Sequence, residues 1–327
     1  MYKRQVYNNT IYDNGGGSQN SLEGGIYLEN SCATVNIYNN VIRNHTLFSL
    51  GGGTYYRNGI EVTYNTQNLR IYNNTFYNNS RTILFYNKYT KRSCVSCLVY
   101  SNEFYGNYYS IVIINGTQNK VYNNTFHDNG KSGASYSWIQ LSSDSDNNLI
   151  ENNTFYNDLG TSFMIEVHSS DNNIINNNTI HNVSTGIYLN NGDTVNITNM
   201  TMYEIINDGI LGLPSLHNVL IDRVNIYNSS GNAITIFSIG YKNLTINNTA
   251  ITNVSGNGIS LNNINWTKME NVTFTNVKTA IYVTEMGINP QYYMKNITIT
   301  AGGNSEYAVY LGNSPSNGIV MDISNST

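Results

Sequence analysis

Asp146, Asp171 and Asp193 each stand four residues ahead of an aliphatic residue: Ile150, Ile175 and Ile197. If the chain returns to the same edge once per interval, their carboxylates form one column with a spacing of ~4.8 Å. Like charges at that separation repel, so the column calls for water, a proton or a cation between them. Calcium takes carboxylate and carbonyl oxygens in adaptable geometry and is the ion that suits such a column. Asp144 lies nearby, and His217 takes the same place one interval on. The alternative is that these are ordinary turn residues, as the stretches "SSDSDNN" and "SSDNN" suggest. Glu166 and His168, two apart in "MIEVHS", project to one side of a strand. A carboxylate beside an imidazole can do acid–base work. Glu166 with Asp171 or Asp144 would give the carboxyl pair of a glycosidase, which needs ~5 to 9.5 Å between the two groups. A polar strand surface accounts for the same residues without catalysis.

A repeat must position these groups. An apolar residue recurs two places before an asparagine-rich pair: Val6, Ile37, Ile71, Val99, Val121, Ile150, Ile175, Ile197, Ile221, Ile246, Met269 and Met294. Five residues after each stands another apolar one, from Ile11 and Ile42 to Phe274 and Ile299. Residues five apart on a flat strand face opposite sides, so both reach one core only if the chain bends between them. Asparagine sits at that bend. It tolerates left-handed backbone angles, and stacked amides can bond to one another from one copy to the next. A second strand, "GIYLEN", "GIEVTY", "GIYLNN" or "GISLNN", alternates apolar and other residues, burying one face. Each copy thus reads as three short strands and three turns. Such copies stack as a parallel β-solenoid. About twelve to thirteen rungs at ~4.8 Å make a rod of ~60 Å.

The "I-x-N-N-T-[FI]" corner followed by "G-I-x-L" resembles the right-handed parallel β-helix repeat of the pectate-lyase-like superfamily, including the NosD-like and the carbohydrate-binding or sugar-hydrolysing β-helix groups. The resemblance covers residues 6–327 and implies an all-β, single-stranded right-handed parallel β-helix. It also implies that substrates lie along the outer face of the "G-I-x-L" sheet. The outward positions there include Tyr27, Glu61, Tyr86, Gln140 and Tyr188, and then Thr235, Ser260, Tyr282 and Tyr310. The aromatics among them offer platforms for sugar rings; tyrosine is also simply a good strand residue with a polar tip. The fold hosts lyases, hydrolases, tailspikes, adhesins and passive rods, so it does not select among these roles. The polygalacturonase-type "NTD", "DD", "GHG" and "RIK" signatures are absent, as is an arginine placed for lyase-type proton abstraction.

Composition narrows the partners. The 327 residues carry a net charge of −4 and are 11% charged, with no basic patch for nucleic acid. No apolar run reaches the ~18 residues of a membrane span. A polysaccharide or surface glycan is the expected partner. Nineteen N-x-S/T sequons fit an extracellular or cell-surface location, although most fall where the repeat itself demands asparagine. "CVSC" at 94–97 reads as a local disulfide or a redox-active pair, with Cys32 two rungs away. His45, His127 and His181 sit in or beside corners and form no metal-spaced pair. Longer loops at 13–24, 44–58, 87–97 and 129–137 put a groove over the first six rungs. The leading "MYKRQ" fits no repeat and back-translates, with a GTG start, to a string resembling a transposase adaptor used in sequencing libraries. It is expected to be foreign to the natural chain. The closing "DISNST" stops in mid-pattern, so the natural solenoid is expected to continue at both ends.

Overall fold

The computed structural model describes residues 4–13, 24–29, 32–46, 48–50, 53–87, 93–130, 137–158, 160, 162–237, 243–303, 305–313, 320–324 and 327. Most of the long segments 13–24, 87–97 and 129–137 lie outside them. The chain divides into two units, Met1–Glu166 and Val167–Thr327. Each is a parallel β-solenoid whose coil has three faces.

In the first unit, the first face runs from Arg4–Tyr7 and Val35–Tyr38 through Arg70–Tyr72, Leu98–Tyr100 and Lys120–Tyr122 to Leu149–Glu151. Parallel pairing sets Val6, Ile37, Ile71, Val99, Val121 and Ile150 beside one another. The second face runs from Thr10–Tyr12 to Thr154–Tyr156 and carries six strands. Its inward rings Phe76, Phe104, Phe126 and Phe155 stack with centroids 4.9, 4.6 and 4.8 Å apart, all fully buried. The third face, from Gly24–Leu28 and Asn58–Thr63 onward, turns Ile60, Ile83, Ile111 and Ile139 into the same core. Residues five apart around the asparagine corner therefore both point inward, as the bend requires.

The second unit repeats the scheme, with Ile175, Ile197, Ile221, Ile246, Met269 and Met294 in register. Its second face also has six strands, Thr179–Val183 to Thr298–Thr300. Two turns depart from the expected three short strands. Ile259–Glu270 and Thr279–Lys295 run through the corner between two faces, and their pairing takes up the bend in register shifts between Leu261 and Trp266. The glycine of "G-I-x-L" is forced by close approach. A Cβ at Gly186 would sit 2.4 Å from the carbonyl oxygen of Gly209. Among the described residues no helix is long and apolar enough to cross a membrane.

The two asparagines of a corner divide the work. The first adopts a left-handed φ, as in Asn39, Asn73, Asn123 and Asn152, with φ of 53–55°. The second turns inward and bonds along the axis. The side-chain amide of Asn40 donates to Asn74 Oδ1 at 3.0 Å, Asn74 to Asn102, Asn102 to Asn124 and Asn124 to Asn153, each at 3.0 Å. Each backbone N–H donates to the same oxygen. In the second unit the inward position becomes Met200, Val224, Thr249, Val272 and Ile297, all nearly or fully buried. The amide bonds move to the outer residue there: Asn271 donates to Asn248 and Asn296 to Asn271, both at 2.9 Å.

Asn124 also donates to the carbonyls of Val99 and Tyr122. Asn124→Ala takes the acceptor from the Asn102 backbone N–H and the donor from the Val99 and Tyr122 carbonyls, while the Asn102 side-chain amide keeps the Ile71 and Tyr100 carbonyls. At ~1–3 kcal/mol per buried unsatisfied group, a loss of about 2–4 kcal/mol is expected in guanidinium unfolding. A loss below about 1 kcal/mol would show that water replaces these bonds.

Candidate functional site

The third face of the first unit aligns Tyr27, Glu61, Leu84, Val112 and Gln140 in one outward column. Its middle is closed rather than open. Glu61, Leu84 and Val112 are buried. An antiparallel pair, Phe48–Leu50 with Gly53–Tyr55, precedes the strand that carries Glu61. Asn58 donates to Glu61 Oε2 at 2.6 Å. The Arg81 guanidinium stands 4.6 Å from the Tyr56 ring and 5.8 Å from that of Tyr109. Glu61 was expected as a ligand contact on an exposed face, and the structure seals it under Asn58 instead. Tyr27 and Tyr86 remain half-exposed, and Gln140 donates to Glu166 Oε2 at 3.0 Å. Ser137 also donates to that oxygen, so Glu166 is pinned by two donors.

In the second unit, His168 Nδ1 meets the amide of Asn190 at 3.2 Å. Asp193 lies in register with His217, and the same register carried two places back sets Asp171 in that column. The side chain of Asp193 lies outside the described residues. Asp146 belongs to the first unit, where its carbonyl accepts from the Gln118 N–H at 3.2 Å. Among the described residues no three of His, Cys, Asp or Glu converge as metal ligands. Cys94 and Cys97 are joined in a buried disulfide and Cys32 is free.

His127, set aside on spacing, is held on every side. Nδ1 meets Asp128 at 2.7 Å and Nε2 meets Glu103 at 3.3 Å. Tyr105 and Tyr156 stack on its two faces, with centroids at 5.3 and 5.1 Å. Both ring nitrogens and both faces are engaged, which leaves the imidazole nothing to offer a substrate.

A more open arrangement lies on the third face of the second unit. Tyr188, Leu211, Thr235, Ser260, Tyr282 and Tyr310 follow one another in register. Tyr282 and Tyr310 stack at 4.8 Å. On its other side Tyr282 has Ser260 as its register partner, a small side chain in place of a ring. One rung on from Ser260, the Thr235 hydroxyl donates to Asp208 Oδ1 at 2.5 Å, and the Asn232 amide donates to that hydroxyl at 3.1 Å. Burial raises the Asp208 carboxyl above its ordinary value, against the lowering effect of the Thr235 and Asn232 bonds. The niche thus joins a ring face, the Ser260 hydroxyl and the Asp208 carboxyl, which the buried Thr235 hydroxyl holds in place. Sequence reasoning placed Thr235, Ser260 and Tyr282 outward but passed over Asp208, which reads in "NDGI" as a turn residue. The available signal was the small Ser260 beside Tyr282.

Burial also raises the Glu61 carboxyl above its ordinary 4.5, outweighing the Asn58 bond and the nearby Arg81 charge. The folded state then holds this proton more tightly than the unfolded state. Stability from this group is therefore lost as pH rises from 4.5 through the raised value. Glu61→Gln keeps the acceptor and removes the charge. The variant should be more stable than the parent at neutral pH, with the difference closing below 4.5. Urea unfolding in both ranges checks this. A less stable variant at neutral pH would mean that the Arg81 attraction outweighs burial.

Among curated protein sequences none matches the chain. Many solved structures share its fold, and three of them follow. One is the tailspike protein of E. coli bacteriophage HK620 in complex with a hexasaccharide (13% identity, TM-score 0.60, covering 91% of this chain and 58% of that one). Another is the catalytic unit of the GH87 alpha-1,3-glucanase of Streptomyces thermodiastaticus (12%, 0.61, 92% and 61%). The third is the A-module of the Azotobacter vinelandii mannuronan C-5 epimerase AlgE6 (11%, 0.52, 92% and 75%). The chain spans about three fifths of the first two. The model of the right-handed β-helix region matches residues 58–211 and 139–261, well over half of the 327. With its parallel three-faced coil, the chain belongs to the right-handed β-helix family.

Proposed function

We propose that this β-helix is a carbohydrate-binding module and that the niche of Asp208, Thr235, Ser260 and Tyr282 grips one sugar residue of a polysaccharide. The carrying observation is the aromatic face of Tyr282 left without a ring by Ser260, one rung from the Asp208–Thr235 pair. A sugar presents a C–H face and a fringe of hydroxyls, which suits a tyrosine face beside a carboxyl acceptor. The hexasaccharide on the HK620 tailspike, and the nigerose on a GH87 glucanase, support a glycan ligand for the same fold. The buried Cys94–Cys97 bridge supports residence outside the reducing cytosol.

Affinity electrophoresis and calorimetry against a panel of neutral and acidic polysaccharides test this reading. Tyr282→Ala and Asp208→Asn should each weaken binding about tenfold, equivalent to ~1.4 kcal/mol. Tyr86→Ala, in the other unit, should leave affinity unchanged. Equal affinity in all variants would remove the niche from the binding site. Reducing ends and unsaturated products are read in the same incubations, with calcium and then with chelator. Their appearance would replace the binding reading with a hydrolase or lyase.

A further inference from the structure

Tyr7, Tyr38, Tyr72, Tyr100 and Tyr122 on the first face of the first unit are register partners from rung to rung. Their ring centroids are 5.1, 5.0, 5.0 and 4.9 Å apart, and successive planes lie within 11° of parallel. Tyr7 is exposed and the other four are half-buried, so one edge of the column is open to water. Burial and then the neighbouring phenols push the Tyr38 and Tyr100 hydroxyls above the ordinary phenol value. The column therefore resists negative charge. Loss of an electron together with its proton avoids that charge, because it leaves a neutral phenoxyl. Each ring already has another within ~5 Å, so a radical formed at the exposed end has a partner at every step.

We propose that this column is a site of oxidative dityrosine cross-linking between successive rungs. A peroxidase-type one-electron oxidant, with hydrogen peroxide as terminal oxidant, takes one electron and one proton from each of two neighbouring phenols. The two phenoxyl radicals pair to form one carbon–carbon bond between their ortho carbons. The hydrogens on those carbons move as protons to the phenol oxygens, which restores both aromatic rings. Two tyrosines and one hydrogen peroxide give one dityrosine and two waters. Register partners on a parallel sheet are ~4.8 Å apart along the axis, so the link needs a tilt of the rings and no shift of the backbone. The product staples one coil of chain to the next.

The test treats the folded protein with a haem peroxidase and hydrogen peroxide, isolates the monomer, digests it and sequences the peptides by mass spectrometry. Peptide pairs joined with loss of two hydrogens should unite Tyr38 with Tyr72 and Tyr72 with Tyr100. Tyr72→Phe keeps the ring stack and should abolish both links while the Tyr7–Tyr38 link persists. Oxidation in denaturant should scatter the links over other tyrosines. The proposal is overturned by links found only between molecules, by equal yields between tyrosines that are not stacked in register, or by a pattern that denaturant does not change.

Discussion

Parallel stacking in register is the constraint on which this molecule rests. Each residue lies ~4.8 Å from its counterpart in the next turn, so every position must tolerate copies of its own kind. Charge tolerates this poorly, and the chain is only 11% charged. Aliphatic residues, phenyl rings and primary amides tolerate it well. A ring stacks on a ring, as in Phe76 to Phe155, and an amide donates to the next amide while accepting from the one before, as in Asn74 to Asn153. The composition that looks unlike a globular protein is the composition a parallel stack selects.

The same constraint limits where chemistry can occur. A ring inside a column spends both faces on its neighbours, which removes His127 and the inner tyrosines from the list of sugar platforms. A usable face appears only where the column is interrupted. Ser260 beside Tyr282 is such an interruption, and Asp208 brings a carboxyl to it from the preceding corner. Function in this fold is thus read from breaks in the repeat, whereas stability is read from its persistence.

Legibility follows the same division. The anchors from Val6 to Met294 were readable because their spacing to the next apolar residue never varies, and they all enter the core. The corner was readable because left-handed backbone favours asparagine. Outward position in a strand was readable too, but outward did not mean exposed. Glu61 alternates correctly and is nevertheless buried and bonded by Asn58, and the alternation of one strand carries no trace of that. The merging of two faces in Ile259–Glu270 was equally hidden, since a bulge absorbs a bend that elsewhere needs a turn. Asp208 was missed because its role depends on Thr235, 27 residues on.

The change at the inner corner, from Asn124 and Asn153 in one unit to Met200, Val224 and Ile297 in the other, has a thermal meaning. Hydrogen-bonded amides hold the first corner chiefly through enthalpy. The second corner is held by apolar burial, whose strength fades on cooling. The two units therefore respond differently to temperature: the amide-cornered turns keep their grip in the cold, while the methionine- and valine-cornered turns loosen first.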